Sequence, residues 1–393
     1  MIIQGIEKIL VRWHQPILFV LCLGLLCGHV LPVVSSVTVF TVFVMMAVVM
    51  ALFHRAPLPR IFYIVAAYFL LYSIWTWTVS LIWPQEINDK ETMRFFIIPL
   101  LVISLLRLML VSPRTALNLF FHICTVYLLL MVGIGVVEHY AGWHLPTSYA
   151  YGLDGESAYV STGLSYNPND YSVLLVMPAL YIFAYCVHFM GGRNIYLGIV
   201  ALGICVPILI WNECFTGLSV VALAVVCYVC GLVKNRKLLL QIIAAAFVLA
   251  CVVVVLKWSI IIPRAHIYMQ SIASLFDSYG LGFGINGDKY YLSQLNNYDI
   301  THGITNAHSY LLQLPLTSGL LITLLYVLMI AMVMGYSSRQ GYDLFWFMPV
   351  LYILLLFSPS SSLLMWGHYV FFCMYVCYAA YASSVEPINK KTN

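Results

Sequence analysis

Residues 309–335 read SYLLQLPLTSGLLITLLYVLMIAMVMG and contain no charged side chain. A helix that crosses a bilayer needs ~20 mostly apolar residues, so this run is long enough to span a membrane. The whole chain has the same character, because 63% of its 393 residues are hydrophobic and only 8% are charged. Soluble domains carry about 25% charged residues. The sequence therefore predicts an all-α polytopic membrane protein, with residues 1–393 forming a single integral-membrane domain.

Similar apolar runs recur along the chain and predict about twelve transmembrane helices. The predicted spans are residues 16–33, 37–53, 61–83, 95–111, 116–137, 171–190, 195–211, 215–233, 238–258, 309–335, 344–358 and 362–383.

The basic residues predict the orientation of these spans. With both termini in the cytoplasm, only Lys90, Arg94, Lys257, Arg264 and Lys289 of the 18 Lys and Arg residues fall outside. Cytoplasmic loops are rich in Lys and Arg, so this orientation is favoured over its reverse. It leaves two long outer loops, at 138–170 and 259–307. The cytoplasmic loops are short and contain no phosphate-binding loop, which argues against ATP-driven transport by this chain.

The most polar part of the chain directly precedes the opening apolar run. Residues 258–310 read WSIIIPRAHIYMQSIASLFDSYGLGFGINGDKYYLSQLNNYDITHGITNAHSY. Arg264 lies at its start, where an arginine either extends to the membrane interface or holds an anion such as phosphate. His308 lies at its end, either as a polar residue at a helix start or as a general base. We interpret both as candidate catalytic residues and expect the Gly- and Tyr-rich middle to form a lid or acceptor platform.

Further candidates for binding substrate lie on the same predicted face. Asn and Asp are also common helix caps, and glycines also serve tight turns, so each candidate has a structural alternative. The spacing of the glycines does not fit a dinucleotide-binding fingerprint. The candidates are Arg94, Asn167, Asn169, Asp170, Glu213, Gly282, Gly284 and Tyr310.

Four motifs in order carry a family resemblance: YNPNDYS (166–172), FTGL (215–218), PRAHIYMQS with YGLGFG (263–284), and NAHSYLLQLPLTSGL (306–320). Together they resemble the bacterial O-antigen ligase and polymerase superfamily. The resemblance implies a GT-C-like, inverting membrane glycosyltransferase that uses neither a metal nor another cofactor. It also implies a multi-pass protein of the bacterial cytoplasmic (inner) membrane, with an active site that faces the periplasm or the outside.

The resemblance also implies residue roles. Arg264 would hold the pyrophosphate of an undecaprenyl-pyrophosphate-linked oligosaccharide, and His308 would deprotonate the acceptor hydroxyl. The chain departs from the family where members carry a Ser-Arg pair, because it has Phe215 and Thr216 there. It also has Ser309 where members often have Asn. We expect Arg94 to take the place of the missing arginine in the phosphate site.

We expect the first of the following three functions and keep the other two as alternatives. The first is polymerisation of lipid-linked repeat units into O-antigen or another surface polysaccharide. The second is ligation of the same glycan to the lipid A core. The third, from another class, is a transporter or flippase, for which an internal repeat and interrupted helices would be expected. The expected partners are the lipid-linked oligosaccharide, membrane lipids and a chain-length regulator, with no nucleic acid.

Overall fold

The structure is a computed structural model that describes most of the helical part of the chain. The described residues are 13–28, 32–34, 37–53, 57–83, 89–153, 155, 159–191, 194–232, 258–285, 291, 309–338, 344–356 and 367–385. In chain order, its elements are α1 (His14–Cys27), β1 (Pro32–Val34), β2 (Val37–Thr38), α2 (Val39–Phe53), α3 (Arg60–Ser80), α4 (Asp89–Met109), α5 (Pro113–Ala141), α6 (Pro168–Phe189), α7 (Ile195–Gly203), α8 (Cys205–Trp211), α9 (Phe215–Leu232), α10 (Trp258–Asp277), α11 (Tyr310–Ser337), α12 (Leu344–Leu355) and α13 (Gly367–Ser384).

The described chain is almost entirely helical, as expected of a helical membrane protein. Four helices, α3, α5, α6 and α11, are long and apolar enough to cross a bilayer. Helices suit this environment because they satisfy every backbone hydrogen bond within one segment. The two short strands β1 and β2 pair in antiparallel fashion just before α2.

Helices α6 and α13 form the centre of the bundle. Both are apolar on all sides, and from Asp170 to Cys186 every side chain of α6 is buried. A helix that is apolar all round is expected in the interior rather than at a surface. The two helices approach closely at Gly367, where a Cβ atom would lie 2.4 Å from Leu174.

The join between α5 and α6 is built around one tyrosine. Tyr171 donates its hydroxyl hydrogen to the carbonyl of Met131 at 2.7 Å. Its ring leaves no room for a side chain at Gly135 on α5 or at Gly163 in the following loop, where a Cβ would lie 2.1 and 2.3 Å from Tyr171 atoms. The loop is therefore packed directly against the start of α6.

Each predicted span overlaps at least one helix by several residues, except 238–258, of which all but Trp258, the first residue of α10, lies outside the described residues. The predicted outer loop 259–307 opens with α10, a helix that we did not expect. Its buried face carries Ile267, Ser271 and Ser274, and the buried Ser278 directly follows the helix. Its outward face carries Met269, Ile272 and Phe276, all exposed. Large apolar side chains on an exposed helix face are not expected of a water-soluble amphipathic helix.

Candidate functional site

Helix α11 is interrupted at Gly319, and a neighbouring segment closes the gap. Gly319 has φ 82° and ψ 171°, far from helical values, and Pro315 lies one turn before it. The segment beside the break is residues 280–285, hereafter the strap. The strap amides of Phe283 and Gly284 donate to the carbonyls of Leu316 and Thr317 at 2.6 and 2.9 Å. In return, the Leu320 amide donates to the Gly280 carbonyl at 2.8 Å. The strap thus supplies the hydrogen bonds that the broken helix lacks.

Glycine is required where the strap meets its neighbours. Gly282 and Gly284 have φ of 83° and 80°, in the left-handed region that other residues rarely adopt. A Cβ at Gly282 would lie 2.6 Å from the backbone nitrogen of Gly319. A Cβ at Gly284 would lie 2.3 Å from Ser80 Oγ and 2.5 Å from its Cα. Both candidates therefore have a packing role, and residues 282–285 are buried in the protein.

Side chains from three directions hold the strap. Trp83 donates its indole N–H to the Gly282 carbonyl at 2.8 Å. Ser80, in the last turn of α3, accepts the Ile285 amide at 2.7 Å. Tyr291 stacks on Phe283 with ring centroids 4.4 Å apart and donates to the Asp277 carboxylate at 2.7 Å. That carboxylate raises the pKa of the Tyr291 phenol, because ionising the phenol would break the bond and place two like charges together.

The strap links the elements that carry the two candidate catalytic residues. Arg264 lies within α10, whose last residue, Asp277, is followed by a tight turn into the strap. The first half of α11 begins at Tyr310, two residues after His308. His308 itself lies outside the described residues, and so do the side chains of Arg264 and Arg94. What the structure brings together is therefore the helix of Arg264 and the half-helix that follows His308.

Tyr310 is buried among tyrosines rather than exposed. Its amide donates to the Leu356 carbonyl at 2.8 Å, and its hydroxyl is hydrogen-bonded with Tyr326 and Tyr369. Its ring lies 5.7 Å from that of Tyr326 and 5.3 Å from that of His368, between centroids. As placed, the side chain anchors the start of α11.

A chain of aromatic contacts continues from Tyr310 toward α4. Tyr326 contacts Tyr68 on α3, with centroids 5.7 Å apart, and Tyr68 lies 6.1 Å from Tyr72. Tyr72 then contacts Phe95 at 4.9 Å. Phe95 directly follows Arg94, so the α4 segment that holds Arg94 and the start of α11 belong to one packed aromatic cluster.

A second group of candidates surrounds the first outer loop. Asn167 caps α6 by accepting the Asp170 amide at 2.9 Å, and its own amide group donates to the Asp170 carboxylate at 3.0 Å. This is the arrangement expected of an N-cap. Asn169, between them, is half-buried and Asp170 is buried. Glu213 is exposed in the turn between α8 and α9 and has a φ of 50°.

The sequence did not single out the carboxylate that organises this loop. Glu138, fully buried near the end of α5, accepts the amides of Thr162 and Gly163 at 2.7 and 2.6 Å and the Thr162 hydroxyl at 2.9 Å. The nitrogen Nδ1 of buried His144 lies 3.3 Å from the same carboxylate. Glu138 is thus the anchor of the loop, and an acidic residue at the end of an apolar run was its only sequence signal.

Two further residues complete the loop's attachment. The side-chain amide of Asn212, beside Glu213, makes a paired contact with Ser161, accepting its amide at 3.0 Å and donating to its carbonyl at 2.7 Å. Ser148 and Thr162 are hydrogen-bonded through their hydroxyls at 2.8 Å.

No group of three or more His, Cys, Asp or Glu side chains that could hold a metal occurs in the described part of the chain.

The candidates therefore form two groups. One is the strap with α10 and α11, which includes Gly282, Gly284 and Tyr310. The other is the first outer loop, which includes Asn167, Asn169, Asp170 and, through its neighbour Asn212, Glu213. Comparison with known proteins adds no family to this description, because no family model, curated protein or solved structure matches the chain.

Proposed function

We propose that the protein is a membrane glycosyltransferase that polymerises undecaprenyl-pyrophosphate-linked oligosaccharide repeat units into O-antigen or a related surface polysaccharide. In this proposal, about twelve helices cross the bacterial inner membrane, a number that follows from the apolar runs and from helix lengths. Both termini are cytoplasmic, and the two long loops and the active site face the periplasm or the outside.

The observation that best supports the proposal is the connection between α10 and α11. A lipid-linked donor keeps its reactive pyrophosphate at the membrane surface, so an enzyme must place a cation and a base at that depth. Helix α10 presents Met269, Ile272 and Phe276 outward and serines inward, which suits contact with hydrocarbon rather than water. In this proposal, α10 lies at the membrane surface and carries Arg264 there. The strap then ties this helix to the half-helix that follows His308.

The proposed chemistry needs only these two kinds of group. His308 removes the proton from an acceptor hydroxyl, and the resulting oxygen nucleophile attacks the anomeric carbon of the donor sugar. A new C–O bond forms as the bond from that carbon to the pyrophosphate oxygen breaks, with inversion. The lipid pyrophosphate leaves with the bonding electrons, and the guanidinium of Arg264, aided by Arg94, stabilises its negative charge.

One observation favours the transporter alternative. Transporters bind their substrates at interrupted helices, where unpaired backbone groups coordinate the ligand, and α11 is interrupted at Gly319. However, the carbonyls of Leu316 and Thr317 at this break accept strap amides. Each of these carbonyls thus already has a hydrogen-bond partner, and a break closed in this way supports a rigid platform better than a transport site.

The identity of the product tests the proposal. The purified protein in proteoliposomes receives a lipid-linked repeat-unit oligosaccharide, with and without lipid A core as a second acceptor. A ladder of lengthened lipid-linked glycans is the expected product. Glycan transferred only to the core lipid would establish a ligase instead. Movement of unchanged donor between leaflets, without new glycosidic bonds, would overturn the enzyme proposal in favour of a flippase.

A further inference from the structure

The first outer loop presents a set of exposed aromatic rings. Their exposed fractions range from 37% for Tyr149 to 70% for Tyr140. Tyr149 and Tyr166 lie side by side, with ring centroids 6.4 Å apart. We call the following six residues the aromatic surface: Tyr140, Trp143, Tyr149, Tyr151, Tyr159 and Tyr166.

The backbone beneath these rings is held in place. The amide of Tyr149 donates to the carbonyl of Tyr166 at 3.0 Å, which fixes the pair relative to each other. His139 donates its ring N–H at Nδ1 to the Tyr159 carbonyl at 2.9 Å and stacks on Trp211, with ring centroids 4.0 Å apart. The buried Glu138 carboxylate holds the loop from below. Rings on a fixed backbone lose little conformational entropy when they bind a ligand.

The chemistry of the aromatic surface matches a neutral, hydroxyl-rich ligand. Residues 139–153, 155 and 159–169 include no Asp, Glu, Lys or Arg, while Asp154 and Glu156 lie outside the described residues. Phenol groups both donate and accept hydrogen bonds, as a hydroxyl-rich ligand does. Aromatic faces carry partial negative charge and attract the C–H faces of sugar rings.

The alternative occupant is the membrane interface, where Tyr and Trp are also enriched. Recognition of anionic lipid headgroups relies on clustered Lys and Arg, which this surface lacks. The Tyr149 and Tyr166 rings are also presented side by side on a backbone fixed by a cross-loop hydrogen bond, an arrangement that anchoring at the interface does not require.

We propose that the aromatic surface is a binding site for a neutral oligosaccharide, and that it holds the growing or incoming glycan beside the site of transfer. The proposal rests on the proposed function for the identity of the ligand. Binding itself requires neither the pyrophosphate nor catalysis, so it is measured separately from transfer.

The test is calorimetric titration of the full-length protein in nanodiscs with a repeat-unit oligosaccharide, freed from its lipid pyrophosphate by mild acid. The double variant Tyr149→Ala/Tyr166→Ala is expected to bind about tenfold more weakly, since central aromatic contacts dominate such interfaces. A Tyr149→Phe/Tyr166→Phe variant keeps both rings and is expected to lose less. The control is Tyr196→Ala, which removes a similarly exposed tyrosine on α7.

Unchanged affinity in the double alanine variant, or absence of binding by the parent protein, would overturn the proposal. So would quenching of Trp143 fluorescence by spin-labelled acyl chains, measured against Trp143→Phe, because it would place the surface in the bilayer. Binding that follows the variants while no glycan is ever transferred would remove the proposed function but leave this site standing. Glycan transfer by the parent protein, together with parent-like oligosaccharide binding in the double alanine variant, would overturn this site but leave the proposed function standing.

Discussion

At the scale of single residues, the strongest constraints on residue type occur where one backbone segment packs directly against another. Gly282, Gly284 and Gly319 all have positive φ, and each lacks room for a Cβ. Glu138 imposes the same kind of constraint through hydrogen bonds, because one buried carboxylate serves two loop amides. Both features lead to predictions that can be measured without knowing the substrate.

Replacing Gly284 with alanine is expected to destabilise the protein. The new Cβ would meet the backbone and hydroxyl of Ser80, and a left-handed φ costs a non-glycine residue about 1–2 kcal/mol before that clash is added. Thermal unfolding in detergent should show a clearly lower midpoint. The control is Gly133→Ala, a helical position with nothing within 4 Å, which should leave the midpoint unchanged or slightly raised. Equal midpoints for the two variants would contradict this reading of the strap.

Replacing Glu138 with alanine is expected to loosen the first outer loop. The change leaves the Thr162 and Gly163 amides without their acceptor, and each buried unpaired amide costs about 1–3 kcal/mol. Limited proteolysis within residues 142–166 should become faster. Glu213→Ala, which removes an exposed carboxylate, serves as the control and should be cleaved like the parent. Identical proteolysis of both variants would show that Glu138 does not hold the loop.

At the scale of elements, the strap is the unit that joins α3, α10 and α11. It adds hydrogen bonds to the broken turn of α11 and is in turn held by Ser80 and Trp83. Helix α10 leads into the strap, and the strap is hydrogen-bonded to α11, whose first half follows His308. The geometry of the strap therefore determines how these two helices are arranged. The contacts that Ser80 and Trp83 make with the strap can therefore affect the candidate site.

Replacing Ser80 with alanine is expected to free the strap without unfolding α3. The Ile285 amide loses its acceptor, and a lost hydrogen bond of this kind costs about 1 kcal/mol. Amide hydrogen exchange across residues 280–285 should therefore become severalfold faster. Thr78→Ala is the matched control on the same helix, since the Thr78 hydroxyl bonds only to the Ile74 carbonyl of its own helix. Unchanged exchange in Ser80→Ala would mean that the strap is held by other contacts.

The elements differ in how far the sequence predicts them. Apolar runs locate the helices because burial in lipid needs only local composition, and α11 follows from residues 309–335 alone. The strap could not be predicted, since its partners Ser80 and Gly319 are far away in the chain and its glycines are equally suited to a ligand loop. The sequence signal for the break in α11 was the presence of Pro315 and Gly319 inside an apolar run, in the segment LPLTSGL (314–320). Glu138 was missed because a lone carboxylate does not reveal its acceptor role.

At the scale of the whole molecule, the proposed topology makes a direct prediction. Alkaline phosphatase is active only where its disulfides form, outside the cytoplasm. Fused after Gly155, in the first outer loop, it should be active, whereas fusion after residue 235 should leave it inactive. The distribution of Lys and Arg between the loops is the physical reason. The opposite pattern of activities would invert the protein and place Arg264 and His308 in the cytoplasm.

The most direct test of the central claim is the single-turnover rate of glycan transfer from lipid-linked donor in proteoliposomes, compared across three variants. His308→Ala and Arg264→Ala are each expected to slow transfer by about 100-fold or more, through loss of a general base and of charge stabilisation. His266→Ala, which removes an exposed histidine two residues from Arg264 on the same helix, is expected to transfer at the parent rate. Parent-like rates in both His308→Ala and Arg264→Ala would contradict the claim that residues 258–310 carry the catalytic site.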